Sequence, residues 1–127
     1  MLLVEDDAAV RELANDVLRS CGYRVLIVAD PRRLGSVLEQ NPGTIHILLT
    51  DVLMPGINGR EVASEVQRQH PETKTLYMSG YAYQTMLGRG VLEAGSVFIQ
   101  KPFTPSHLSE KVREVLDGIH GRAATAQ

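Results

Sequence analysis

The fold is decided by residues 45–56, which read IHILLTDVLMPG. The apolar run from Ile45 to Leu49 predicts a strand that is buried on both faces, and the proline and glycine at the end of the segment predict a turn. Similar short apolar runs occupy residues 2–4, 25–28, 75–78 and 97–99. The sequence therefore predicts five short strands of the kind found in parallel sheets.

Helical periodicity fills the intervals between these strands. Apolar residues recur at a spacing of 3.6 from Val10 to Cys21, and residues 61–70 show the same pattern. Asp30 and Thr104 each precede a proline, which predicts that a helix starts at both places. An apolar stripe from Leu108 to Leu116 marks the last helix.

Residues 83–94 are predicted to form a short or irregular helix. Gly88 and Gly90 lie within this segment, and each glycine costs about 1 kcal/mol relative to alanine inside a helix. Five strands that alternate with helices predict an α/β fold, with a parallel sheet covered by helices on both faces. We expect the domain to span residues 1–118 and residues 119–127 to form a flexible tail.

Composition narrows the classes of function. The 127 residues fit one domain, with 43% hydrophobic and 22% charged residues, and the net charge of -2 gives no reason to expect nucleic acid as a partner. The single cysteine, Cys21, excludes an intrachain disulfide. There is no secretion signal and no apolar run long enough to span a bilayer, so we expect a cytoplasmic protein without membrane contact.

Chemically active residue types follow four of the predicted strands. Three acidic residues follow the first strand, an aspartate the third, a serine the fourth and a lysine the fifth: Glu5, Asp6, Asp7, Asp51, Ser79 and Lys101. Because ligands of open parallel sheets bind beyond the carboxyl ends of the strands, we expect these side chains to converge.

Such a set fits phosphoryl transfer. Crowded carboxylates repel one another, and a hard divalent cation such as Mg²⁺ relieves the repulsion. A lysine supplies positive charge for a phosphoryl group, and one of the carboxylates can act as the nucleophile. Each residue alone also fits a structural role, since Asp6 or Asp7 can cap a helix, and Asp51 and Ser79 can lie in turns.

Four segments resemble the motifs of response-regulator receiver domains, and they occur in the same order. They read LLVEDD at residues 2–7, LTDVLMPG at 49–56, MSGY at 78–81 and FIQKPF at 98–103, and the resemblance covers about residues 2–117. Residues 78–81 and 90–93 are most similar to the C-terminal receivers of hybrid sensor histidine kinases. The resemblance implies a doubly wound (βα)5 flavodoxin-like fold with strand order 2-1-3-4-5.

The resemblance also implies roles for the acidic residues and the lysine. Asp51 would be the phosphoacceptor, and the donor would be a phosphohistidine on a histidine kinase or a histidine phosphotransfer protein. Asp6, Asp51 and the backbone carbonyl of Leu53 would bind Mg²⁺, with Glu5 acting through a water molecule. Lys101 would contact a phosphoryl oxygen.

The same resemblance implies a switch. Ser79 would move to hydrogen-bond the phosphoryl group, and Phe98 would turn into the space that Ser79 leaves. The Lys101–Pro102 peptide would be cis. The positions that tune self-dephosphorylation in the family hold Leu53 and Tyr81, and neither is an obvious positioner of water, so we expect slow self-hydrolysis.

Alternative functions stay open at this point. The fold can serve as a docking module that does not depend on phosphorylation, or the chain can be part of a hybrid histidine kinase. A hydrolase of the haloacid-dehalogenase type is disfavoured because it needs a second aspartate two residues after the nucleophile, where this chain has Leu53. As a receiver, the chain would catalyse its own phosphorylation and dephosphorylation, as a monomer or a weak dimer.

Overall fold

The described part of the chain is an alternation of strands and helices. A computed structural model describes residues 1–118, and the predicted tail at 119–127 lies outside the described residues. In chain order the elements are β1 (Leu2–Val4), α1 (Ala8–Ser20), β2 (Leu26–Val28), a 3₁₀ turn (Pro31–Arg33), α2 (Leu34–Gln40), β3 (Ile47–Asp51), β4 (Leu53–Met54), β5 (Ile57–Asn58), α3 (Gly59–Gln69), β6 (Lys74–Ser79), α4 (Tyr83–Gly88), β7 (Val97–Gln100) and α5 (Pro105–Asp117).

The main sheet has the order β2-β1-β3-β6-β7, and all of its pairs are parallel. Counted among the five strands of this sheet, that order is the predicted 2-1-3-4-5. Val4 lies opposite Val28 on one side and Thr50 on the other, and Asp51 lies opposite Met78. The carboxyl ends of the central strands therefore lie together at one edge of the sheet.

Two apolar cores confirm that helices cover both faces of the sheet. One face packs against buried residues of α2, α3 and α4, including Leu34, Val62 and Met86. The other packs against α1 and α5, through residues such as Leu18 and Val112. This arrangement explains why the central strands β1 and β3 are mostly apolar, since both of their faces are buried.

Side-chain caps fix where the helices begin. Asp7 accepts hydrogen bonds from the backbone amides of Ala9 at 2.9 Å and Val10 at 3.2 Å, and so caps α1. Thr104 caps α5 by accepting from the amide of His107 at 3.1 Å. The sequence alone did not decide whether Asp6 or Asp7 caps α1. The structure shows that Asp7 is the cap.

The predicted ends of the third and fourth strands of the main sheet were wrong. The third sheet strand runs over residues 47–51 instead of 45–49, because Asp51 pairs with Met78 and the carbonyl of Ile45 instead accepts the Thr73 hydroxyl at 2.6 Å. Asp51 is therefore the last residue of its strand, and Ser79 likewise ends β6. The turn predicted after Asp51 is the tip of a small hairpin, β4 with β5, in which Gly56 has φ +82°.

The fourth helix is short, as predicted. It ends at Gly88, and Gly90 lies in the following loop with φ +71°, a left-handed conformation that favours glycine. Within residues 1–118, none of the helices has both the length and the apolarity that a membrane crossing requires.

Gly59 lets the start of α3 approach the end of β3. Its amide donates to the carbonyl of Val52 at 2.6 Å. A Cβ at this position would overlap the carbonyl oxygen of Asp51 and lie 3.1 Å from the Cα of Val52. The missing side chain therefore helps to place Asp51.

We expect Gly59→Ala to destabilise the fold by about 1–3 kcal/mol, because the backbone must shift to admit the methyl group. Gly35→Ala is the matched control, since Gly35 lies in α2 with open space around it, and there alanine should stabilise by about 0.5–1 kcal/mol. Urea unfolding measures both. Equal effects of the two substitutions would contradict the close approach.

Candidate functional site

Three carboxylates converge at the carboxyl edge of the sheet. Glu5 directly follows β1, Asp6 comes next, and Asp51 ends the neighbouring strand β3. Carboxylate oxygens of these residues lie within 4.8 Å of one another. Glu5 and Asp51 are buried, whereas Asp6 is exposed, so the cluster has a closed side and a side open to solvent.

Lys101 binds this cluster from the end of β7. Its Nζ donates to Oδ2 of Asp51 at 3.0 Å and to the two carboxylate oxygens of Glu5 at 3.2 and 3.3 Å. Its backbone amide donates to the carbonyl of Ser79 at 2.8 Å. The Lys101–Pro102 peptide is cis, which confirms the expectation from the resemblance.

The pKa values of Glu5 and Lys101 reflect their burial and their contacts within the cluster. Burial raises the pKa of Glu5 to about 7, the charge of Asp51 adds to the rise, and Lys101 and the amide of Asp7 oppose it. Burial lowers the pKa of Lys101, but the hydrogen bond and charge of Asp51, with those of Glu5, outweigh it and hold that pKa above its ordinary value. Lys101 therefore lowers the cost of burying the charge of Glu5 without removing it.

The backbone of the acidic segment is held by two further contacts. The amide of Asp7 donates to Oε1 of Glu5 at 3.1 Å. Arg11, in the first turns of α1, donates to the carbonyls of Glu5 at 3.0 Å and Asp6 at 3.3 Å. Arg11 could not be assigned this role from the sequence, but the cap at Asp7 places it one turn into the helix and within reach of this segment.

The donor set fits a hard divalent cation. Carboxylate oxygens are the ligands that Mg²⁺ prefers, and this ion usually keeps part of its coordination open to water or substrate. Leu53 follows Asp51 by two residues, and its side chain points into solvent, with 42% of the residue exposed. The exposed carboxylate of Asp6 keeps the cluster accessible from solvent.

The hydrogen bonds of the Ser79 hydroxyl are made outside this cluster. Ser79 is 2% exposed, and its Oγ accepts from the amide of Tyr81 at 3.0 Å and donates to Sδ of Met86 at 3.7 Å. It makes no hydrogen bond to Asp51. Sequence reasoning gave no signal for Met86, because its contact with Ser79 depends on where α4 packs.

Phe98 is half-buried beside α4. Its ring centroid lies 5.6 Å from that of Tyr83, and the Tyr83 hydroxyl accepts from the amide of Gly95 at 3.0 Å. Tyr81 is 52% exposed, with the Arg89 guanidinium 5.8 Å from its ring centroid. The predicted switch residues therefore lie in contact with α4 and the loop after it.

Comparison with known proteins assigns the family. A family model described as response regulator receiver domain matches residues 1–113, nearly the whole described chain. The chain belongs to the response regulator receiver family. It is thus a receiver domain of two-component signalling, and the flavodoxin-like fold predicted from the resemblance is confirmed.

Individual relatives agree with this assignment. Sensor kinase CckA of Brucella abortus is 33% identical over 117 residues, which make up 92% of this chain and 12% of the kinase. Chemotaxis protein CheY of Thermotoga maritima is 29% identical, and the match covers 91% of this chain and 95% of CheY. The crystal structure of the receiver domain from hybrid histidine kinase CckA superposes with a TM-score of 0.74 at 36% identity, covering 91% of this receiver and 96% of that chain. The chain therefore spans a small part of the kinase and nearly all of CheY.

Ionisation of Glu5 costs the folded receiver free energy. Its pKa is about 7 in the fold against an ordinary value of 4.5. Between those values the folded state binds more protons than the unfolded state, so stability falls as the pH rises, and above about 7 the cost is complete.

We therefore expect Glu5→Gln to stabilise the metal-free protein by about 1–3 kcal/mol at pH 8, with the gain vanishing towards pH 4. Urea unfolding in the presence of a chelator, at several pH values, measures this. Glu12→Gln, at an exposed position of α1, is the control. A gain that is absent at pH 8, or that does not change with pH, would contradict the charge argument.

Proposed function

We propose that this receiver accepts a phosphoryl group on Asp51 in a reaction that requires Mg²⁺. The supporting observation is the contact of Lys101 Nζ with Asp51 Oδ2 at 3.0 Å, inside a cluster of three carboxylates. The ammonium of Lys101 can attract a phosphoryl anion to Asp51, and the neighbouring carboxylates can bind a cation.

In the proposed step, Asp51 is the nucleophile. One of its oxygens attacks the phosphorus of a phosphohistidine, forming a phosphorus–oxygen bond as the phosphorus–nitrogen bond breaks. The bonding electron pair stays with the leaving imidazole, which takes up a proton. Lys101, already in contact with Asp51, would turn its ammonium to a phosphoryl oxygen, since the phosphorylated carboxyl group of Asp51 no longer carries a carboxylate charge.

Asp6, Asp51 and the backbone carbonyl of Leu53 would hold Mg²⁺, with Glu5 contributing through a water molecule. When bound at these residues, the ion would supply positive charge to the phosphoryl oxygens. Glu5 also accepts two hydrogen bonds from Lys101, so it positions the ammonium beside the acceptor. Arg11 fixes the backbone on which Glu5 and Asp6 lie.

The donor is proposed to be a histidine kinase or a histidine phosphotransfer protein. Similarity to the receiver of CckA, which is described as a hybrid histidine kinase, supports a phosphohistidine donor, located in the same polypeptide or in a separate one. We extend the proposal to a cytoplasmic location and to a monomer or weak dimer. Ser79 and Phe98 would then transmit phosphorylation to the surface around α4.

The first test is chemical. Incubation with Mg²⁺ and acetyl phosphate should add one phosphoryl group per chain, measured by intact mass. The adduct should need Mg²⁺ and should be lost in Asp51→Asn, because an amide is a poor nucleophile. Asp16→Asn, at an exposed position of α1, is the control and should be modified normally.

Catalytic release of phosphate from small phosphomonoesters, without an accumulating adduct, would instead indicate a hydrolase. Failure of a folded protein to take phosphate from both acetyl phosphate and a phosphohistidine donor would contradict the proposal and favour a docking module.

The aspartyl phosphate should be long-lived. The side chains of Leu53 and Tyr81 are 42% and 52% exposed and do not offer an amide or carboxylate to orient an attacking water molecule. We expect a half-life of minutes to hours, and Leu53→Asn should shorten it several-fold by supplying a hydrogen-bonding group. Leu13→Asn, at an exposed leucine of α1, should have no effect. A half-life of seconds in the unaltered receiver would overturn this expectation.

A further inference from the structure

The hydroxyl of Ser79 is occupied in this structure by a partner outside the acidic site. Its Oγ donates to Sδ of Met86 at 3.7 Å, and both residues are buried, with Met86 fully so. The amide of Tyr81 donates to the same oxygen at 3.0 Å. Ser79 ends the strand next to Asp51, whereas Met86 belongs to α4, so this contact joins the site to a helix.

A serine hydroxyl has one proton to donate. While that proton is directed to the thioether of Met86, it is not available to a phosphoryl oxygen on Asp51. The two contacts of Ser79 are therefore mutually exclusive, and whatever stabilises the first opposes the second. A thioether is a weak acceptor, so the contact with Met86 is one that a charged phosphoryl oxygen can displace.

We propose that Met86 is a positioning residue that holds Ser79 in the conformation unable to reach the phosphoryl group. This inference rests on the proposed function of Asp51. It adds that Met86 opposes the movement of Ser79 towards the phosphoryl group. Phosphorylation, on this account, withdraws the Ser79 proton from Met86 and so removes one of the contacts that fix α4 on the sheet.

The surroundings of Met86 show how this release reaches the surface. Met86 packs in the core cluster that contains Tyr77 and Leu92, and Phe98 packs against the same cluster. Its carbonyl accepts from the amide of Val91 at 3.1 Å, which ties the loop after α4 to the same residue. A change in the position of Met86 would therefore alter the packing of α4, of this loop and of Phe98 together.

Met86→Leu tests the proposal, because leucine fills nearly the same volume but accepts no hydrogen bond. The probe is beryllofluoride with Mg²⁺, a tetrahedral phosphoryl mimic, titrated by calorimetry. If the conformation with Ser79 on Met86 opposes binding, removing the acceptor should tighten beryllofluoride binding about three- to tenfold. In a Ser79→Ala background the same substitution should have no effect, because no hydroxyl remains to be held.

Met78→Leu is the matched control, since Met78 is also fully buried, one residue before Ser79, and should leave the affinity unchanged. Equal affinity of Met86→Leu and the parent protein would overturn the proposal, as would an equal gain in both serine and alanine backgrounds, which would indicate altered packing alone. Failure of the parent protein to bind beryllofluoride would instead count against the proposed function of Asp51.

The contact can also be measured without any phosphoryl mimic. In metal-free protein, urea unfolding of the two single variants and the double variant forms a double-mutant cycle. The account predicts a favourable coupling between Ser79 and Met86, equivalent to a factor of about three or more in the unfolding constant. Additive effects would overturn the inference even if Asp51 is phosphorylated as proposed.

Discussion

The contact between the Lys101 ammonium and the carboxylates of Asp51 and Glu5 organises the rest of the structure. Three acidic side chains lie within 4.8 Å of one another, and one ammonium makes three hydrogen bonds to two of them. Burial and the charge of Asp51 raise the pKa of Glu5 to about 7, against the opposing effect of Lys101. With all three carboxylates ionised, the site of the free protein carries more negative than positive charge, and a bound divalent cation would offset that excess.

The fold makes this arrangement possible through the order of its strands. Because β1 and β3 are adjacent and parallel, Glu5 and Asp51 emerge side by side from the same edge. Lys101 approaches from β7, two strands away from β3, and crosses to the cluster with a long side chain. Gly59 keeps α3 close beneath Asp51, and Arg11 holds the acidic segment from α1. Gly59 and Arg11 take no part in the proposed reaction, but they help to position the backbone that carries the carboxylates.

Much of this architecture could be predicted from the sequence, and the exceptions have physical causes. The five strands of the main sheet are apolar enough to identify without the structure, and the cap at Thr104 marks the start of the last helix. The shift of β3 to residues 47–51 and the hairpin after it could not be predicted, because they depend on pairing between distant residues such as Asp51 and Met78. The convergence of Glu5, Asp6, Asp51 and Lys101 could be predicted, because it follows from the positions of these residues at the ends of strands. The contacts of Met86 and Arg11 could not, because they depend on how α4 and α1 pack.

Ser79 connects the charged site to the part of the fold that sequence specified least. The segment after it contains a six-residue helix and two glycines with positive φ, so few local interactions define its conformation. Packing of Met86 and the contact of Phe98 with Tyr83 supply that definition instead. A weakly specified helix held by a few tertiary contacts is suited to respond when one of those contacts is withdrawn.

A calorimetric titration of the receiver with Mg²⁺ would show whether the carboxylates at the sheet edge form a cation site. We expect saturable binding of one ion per chain, weakened at least about tenfold by Asp6→Asn, which removes a charged ligand, and unchanged by Asp16→Asn on α1. Absence of saturable binding, or an affinity that does not depend on Asp6, would mean that the carboxylates do not form such a site.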